Sequence, residues 1–431
     1  MARSAKAEPS SKEKGTGTMR SGVLRSCAWL LALAAVAFPL PGCGSAEDDP
    51  NSGRTNTPTK DPDQPTGQLT PEEQIQKILD QRKTDYGEAL RTASLKLRDR
   101  LPDFAEIKQV QNAPDDDAKK VAYGKLVDDM IASPEFSRTM IKFWKDTFRI
   151  GQVGEIRNNV NRDAAPTFAA QITVEGRNYT ELFTATSNTC PTYNAETNTF
   201  QPASCPLPTD AIEGPTVGIL TDPGLQAQYF ANMAFRRVRF VQETFVCSKF
   251  PAEYSTNPVP MGNGVYTAAF PFSSITGKEN KPDARVDFQE TKATVCANCH
   301  ANLNHVAPLF LNWDANGALR NSPQVKVPIP GEPAAARIDY LPDGEPLAWR
   351  VGKPLTDMAS LGQALATDPD VARCAVNRIW NYAMSRGDIV NDLATVPKAV
   401  TQVYVDQFVA GGMKLKETIR AVFKSEDFTK F

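Results

Sequence analysis

Residues 133–148 read Ser-Pro-Glu-Phe-Ser-Arg-Thr-Met-Ile-Lys-Phe-Trp-Lys-Asp-Thr-Phe, and their pattern decides the fold class. Serine, proline and acid in succession mark a helix start, because a first-turn amide has no partner to lose to proline. Phe136, Met140, Phe143, Trp144 and Phe148 then recur at spacings that fall on one helical stripe. A stripe of that bulk reads as a packing face rather than an aromatic binding face. The same start signal stands at Thr70-Pro71-Glu72-Glu73, ahead of Ile75, Ile78, Leu79 and Arg82. It recurs at Thr367-Asp368-Pro369-Asp370, ahead of Val371, Cys374, Val376 and Trp380, and fades at Ser385-Arg386-Gly387. Periodicity predicts further helices over 123–132, 230–250 and 415–423 and weakens between 150 and 230, while 401–409 is ambiguous in pattern and is read as helix from its context. The 33 Pro and 26 Gly in 431 residues supply long breaks between these elements. The expected class is mainly α, with long irregular insertions.

Upstream of the helices the chain reads as an export signal. The run Ala28-Trp29-Leu30-Leu31-Ala32-Leu33-Ala34-Ala35-Val36-Ala37-Phe38-Pro39-Leu40 is too short for an ordinary span and ends at Pro41-Gly42-Cys43. That arrangement resembles a bacterial lipobox, in which the cysteine is acylated and becomes the new N-terminus. Residues 1–43 are therefore expected to be a lipoprotein signal peptide with its lipidated Cys43, and Met19 offers an alternative start. Residues 44–69 hold almost no large apolar side chain, so nothing offsets the entropy of ordering them and a disordered tether is expected. An N-terminal helical domain is expected over 70–250, an irregular connection over 251–290, and a second helical region over 291–431. Cleavage before Cys43 removes six basic and two acidic residues from totals of 48 and 50, leaving a net charge of -6. Such a surface gives no basic field for nucleic acid. The expected location is the bacterial cell envelope, on the periplasmic or outer-surface side, with membrane contact through the N-terminal lipid.

Residues 295–300 read Val-Cys-Ala-Asn-Cys-His and carry the chemistry. Two thiols three residues apart can add across the two vinyl groups of a haem, and the adjacent histidine can then ligate the iron. C-x-x-C-H is the signature of covalent c-type haem, and it lies behind an export signal, in the compartment where such haems are attached. One covalent haem c is therefore expected, attached at Cys296 and Cys299, with His300 as proximal iron ligand. Zinc held by Cys296, Cys299 and His305, with His300 as an alternative fourth ligand, is a weaker reading, as is a Cys296–Cys299 disulfide. For the opposite side of the iron, Met358 in Gly352-Lys353-Pro354-Leu355-Thr356-Asp357-Met358 is the first candidate, followed by Met261 and His305. With Cys27 removed and Cys43, Cys296 and Cys299 assigned, Cys190, Cys205, Cys247 and Cys374 are left. Cys190 and Cys205 bracket a polar, turn-rich loop and are expected to pair in an oxidising compartment. Cys247 and Cys374 either bridge the haem-flanking helices or stand as buried thiols.

Three stretches carry a family resemblance. They are residues 89–146, residues 235–247 with 295–320, and residues 373–387 with 413–428. In these the chain is similar to the planctomycete-type group of cytochrome c-like exported proteins, built from domains of uncharacterised function. The family pattern is kept at Trp313-Asp314, Gly317 and Arg320, and lost where Asn304-His305 replaces an aspartate-proline pair. The resemblance implies helical domains with a cytochrome c-like haem segment, and no particular reaction. An enzyme would need catalytic groups besides the haem, yet the chain has only two histidines and neither G-x-S-x-G nor H-E-x-x-H. Electron transfer or redox sensing, with an unknown redox partner protein, makes the smaller demand. A binding module with haem as a folding element stays open as an alternative, as does a haem-dependent peroxidase or oxidase with an open distal site.

Overall fold

The computed structural model describes residues 80–150, 160–248, 302–324, 337–341, 344–350, 352–388 and 395–431, with positions 74, 77, 260–261, 264–265, 275–276, 285–287 and 300. Acidic caps set the first helices. Asp85 accepts from the Gly87 and Glu88 amides to open α1 (Tyr86–Arg98), and Asp103 and Glu106 form a reciprocal capping box at α2 (Phe104–Gln111). Asp115 opens α3 (Asp116–Ala132), seven residues before the start that periodicity indicates, and accepts from the Ala118 amide. Ser133 separates α3 from α4 (Pro134–Thr147), but not as a side-chain cap. Its hydroxyl donates to the Met130 carbonyl at 2.7 Å and so closes the preceding helix, while Pro134 begins the next.

The stripe that decides the class is buried: Phe136, Met140, Phe143, Trp144 and Phe148 all belong to the core. It packs against α5 (Ala164–Glu175), and the Trp144 indole donates to the Thr173 hydroxyl at 3.0 Å. Every residue of α5 from Ala164 to Thr173 is buried. A helix covered on all sides has no polar face, so it leaves no periodic trace in the sequence. After α6 (Glu181–Thr184), the hairpin β1 (Thr192–Asn194) and β2 (Thr199–Gln201) fills the loop between Cys190 and Cys205, with Tyr193 opposite Phe200. A 3-10 turn at Gly218–Thr221 leads into α7 (Pro223–Gln228), and α8 (Phe235–Val241) runs into a wide π-type turn at Gln242–Val246. The helix expected over 230–250 therefore starts at Phe235. Met233 and Ala234 take left-handed backbone angles, φ 64° and 57°, which break any helix through them.

The C-terminal part is α9 (Met358–Ala366), α10 (Pro369–Ala383), α11 (Lys398–Ala410), α12 (Leu415–Phe423) and α13 (Glu426–Thr429). Residues Thr70–Phe431 form one compact unit. In it, α12 packs on both α3 and α10, so helices from either side of 251–290 share a core. The Tyr123 hydroxyl donates to the Phe423 carbonyl at 2.6 Å, and Asp128 receives Arg420 and Lys424 at 3.0 and 2.7 Å. Lys83 and Phe431 exchange backbone hydrogen bonds of 2.9 and 3.0 Å. The chain is mainly helical. In 251–290 the described positions include short strands, of which Arg285–Asp287 pairs in parallel with Arg337–Asp339. No helix among the described residues is long and apolar enough to cross a membrane.

Candidate functional site

His300 is the one residue of the attachment motif that the structure describes; Cys296 and Cys299 lie outside the described residues, as does Cys43. Its Nδ1 donates to Oδ1 of Asn304 at 3.0 Å, one helical turn on. That bond selects the tautomer in which Nε2 carries the lone pair a metal needs. Burial pushes the imidazole below its ordinary pKa, outweighing the opposing effect of the Asn304 bond, so the ring is neutral at neutral pH. Phe235, the first residue of α8, meets the His300 ring edge-on at 5.1 Å, and Tyr340 meets Phe235 at 5.7 Å. The Tyr340 hydroxyl donates to the Met233 carbonyl at 3.0 Å. The kinked segment before α8 thus sets the aromatic wall of the site.

Residues 302–306 are helical and enter the core through Leu303 and Val306. Asn302 is buried and donates to the Gln242 side chain in the π-type turn, while its own Oδ1 has no donor among the described residues. His305 is also buried, and its Nε2 lies 2.6 Å from a Glu345 carboxylate oxygen. Because the helix carries on through Val306, His305 faces Glu345 and not the opposite side of a ring held by His300. Met358 is the first residue of α9 and is buried in the core, and α9 packs against α6 and the Gly218–Thr221 turn.

Beyond the helix, the chain is clamped by groups that sequence reasoning did not single out as functional. Arg237 in α8 is 2% exposed. Its guanidinium donates to the carbonyls of Gln226 at 3.1 and 2.7 Å, Phe310 at 2.9 Å, Trp313 at 3.0 Å and Asp314 at 3.1 Å. A planar five-donor fork donates to four carbonyls at once, of which Phe310 and Asp314 also accept from the Trp313 and Gly317 amides. The Asp314 carboxylate accepts from the Asn316 and Ala318 amides at 2.8 and 2.9 Å and from the Arg320 guanidinium at 2.9 and 2.7 Å. Gly317 sits at φ 72°, and a Cβ there would lie 2.0 Å from the Pro223 carbonyl oxygen. The conspicuous Trp313-Asp314, Gly317 and Arg320 therefore build a turn that docks on α7. The signal for Arg237 was weak, because an arginine inside an arginine-rich helix reads as a surface residue.

Cys190, Cys205, Cys247 and Cys374 form two disulfides. Cys190–Cys205 closes the β1–β2 loop with Cα atoms 4.8 Å apart, and Cys247–Cys374 joins the end of the π-type turn to α10 with Cα atoms 5.3 Å apart. Arg378, one turn after Cys374, is buried and donates to the Thr244 carbonyl, so the same turn is held twice. The residues around His300 fit a haem ligand set on the proximal side: a neutral imidazole, its Nδ1–H engaged, against an aromatic wall.

Residues 71–173 match the family described as PSCyt2, a protein of unknown function (DUF1549). The match runs from ahead of α1 into the last turn of α5. No curated protein and no solved structure matches the chain.

Proposed function

We propose that this chain is an exported, lipid-anchored monohaem c-type protein that transfers electrons or senses redox state for a partner protein. The observation that carries the reading is Cys296-Ala297-Asn298-Cys299-His300, ending on a neutral histidine whose Nδ1–H is already engaged. A bound haem c supplies a one-electron iron couple. Cys296 and Cys299 would hold such a group as thioethers, and His300 would offer Nε2 to its iron. Asn304 orients the His300 ring and raises its basicity through the Nδ1 hydrogen bond. Phe235 shields the imidazole from water. Met358 is the candidate for the opposite ligand, and its replacement by Ala leaves covalent attachment intact while altering the spectrum if it ligates.

Cys43 carries the lipid, and residues 44–69 tether the folded unit to the membrane. Two disulfides support an oxidising compartment. Potentiometric titration of the mature protein tests the electron-transfer reading. The expected result is a reversible one-electron midpoint in the absence of substrate. A group that becomes reducible only after unfolding overturns it.

A further inference from the structure

Asp222 is 1% exposed and stands against the Cys190–Cys205 disulfide. Its Oδ1 caps α7 by accepting from the Leu225 amide at 2.8 Å. Its Oδ2 lies 3.5 Å from Sγ of Cys190 and 4.0 Å from Sγ of Cys205. A cap needs one acceptor oxygen, and burying a second against sulfur adds a desolvation cost that capping does not explain. Thr189 Oγ1 lies 3.4 Å from Sγ of Cys205. Two cavities, of about 100 and 170 Å³, meet at Cys205, and among the described residues lining them Asp222 is the sole carboxylate. Cys190 is buried, whereas Cys205 is partly exposed, two residues from Leu207 at 62% exposure. The two sulfurs are thus unequal: Cys205 is the more exposed, lines both cavities and meets a hydroxyl, whereas Cys190 is buried and lies nearer the carboxyl.

We propose that Cys190–Cys205 is a thiol–disulfide exchange site, with Asp222 as its acid–base group and a dithiol as its reductant. A thiolate of the dithiol, its proton released to solvent, attacks Sγ of Cys205 from the cavity side. The Cys190–Cys205 bond breaks and its electron pair passes to Sγ of Cys190, which takes the proton of the Asp222 carboxylic acid. The Asp222 carboxylate then removes the proton of the reductant's second thiol. That sulfur attacks its neighbour in the mixed disulfide, and the electron pair returns to Sγ of Cys205, which is protonated from solvent. The reductant leaves as a disulfide and the protein holds two thiols. Thr189 can donate to the Cys205 thiolate while it lasts. Burial pushes the Asp222 carboxyl up to about 7, so acid and carboxylate are both present at neutral pH. The acid–base group therefore needs no further tuning to serve both halves of the exchange.

The test uses the full chain in two measurements. First, the wild type is incubated with glutathione, quenched in acid, alkylated and mapped by mass spectrometry. The expected glutathione adduct is on Cys205; an adduct on Cys190, or none, overturns the proposal. Second, dithiothreitol should open Cys190–Cys205 at least about tenfold faster than Cys247–Cys374 in the same molecule, and Asp222→Asn should slow that opening by about tenfold or more. Asparagine keeps an Oδ1 acceptor for the Leu225 amide, so the cap survives. Equal rates for the two bridges, or a wild-type rate in folded Asp222→Asn, also overturn it. If Asp222→Asn does not fold, the position of the glutathione adduct in the wild type decides alone.

Discussion

Arg237 is buried, and its hydrogen bonds all go to backbone carbonyls, while the Phe230 ring lies 5.3 Å from the guanidinium and the Asp314 charge adds a coulombic contribution. Replacing it with Met keeps the bulk and strands the carbonyls of Gln226, Phe310, Trp313 and Asp314 without that donor. A buried acceptor left unsatisfied costs about 1–3 kcal/mol. Arg237→Met should therefore lower the urea midpoint by a corresponding amount, and a change under about 1 kcal/mol would mean that the carbonyls find other donors. Asp222 gives the pH dependence. Its carboxyl rises from 3.8 to about 7 because burial penalises the charge. The folded protein then holds a proton that the unfolded chain releases, so the stability this group contributes is fully present below about pH 4 and is lost as pH rises through about 7. The thermal midpoint of the wild type should fall between about pH 5 and pH 8 relative to that of Asp222→Asn. Parallel pH profiles for the two proteins would contradict this. Neither residue was legible as a site in the sequence. Arg237 looked like its exposed neighbours in the Arg236–Arg239 stretch, and the approach of Asp222 to Cys190 joins positions 32 residues apart.

Elements were legible where they carry an amphipathic face and a start signal. The Pro134 and Pro369 starts and the stripes on α4 and α12 follow from spacing, because those two helices keep an exposed side. Helix α10 is buried almost throughout and shows a stripe because Asn377, Arg378 and Asn381 are polar residues among its apolar ones. The Cys190–Cys205 loop was likewise visible from its turn-forming residues. Legibility stopped at α5, whose all-round burial erases the period, and at the Met233–Ala234 kink, where no glycine advertises a left-handed backbone. The turn after the His300 helix belongs to the same scale. Trp313, Asp314, Gly317 and Arg320 stood out in the sequence, and their reason is mechanical: Asp314 closes the turn, Arg320 clamps it, and Gly317 lets it touch α7. Gly317→Ala should destabilise the protein by well over the roughly 1 kcal/mol of a left-handed non-glycine residue, because its Cβ would collide with the Pro223 carbonyl. Differential scanning calorimetry would register this as a lowered melting temperature. An unchanged melting temperature would show that α7 yields to the extra methyl at no cost.

At the scale of the molecule, two groups of helices separated by a long irregular stretch close on one another, tied by Tyr123 to Phe423, Lys83 to Phe431, and Cys247 to Cys374. His300 lies beside that core, its ring held by Asn304 and faced by Phe235. A group attached there is coupled to the shared core and not to a separable lobe. The central claim is covalent haem at Cys296 and Cys299, and denaturing gel electrophoresis with haem staining tests it most directly. Mature protein made alongside a c-type maturation system should keep its stain after denaturation, and Cys296→Ala with Cys299→Ala should lose it. A full-length wild-type band without stain would contradict the claim, since zinc or a simple disulfide at those cysteines would leave no haem on the gel.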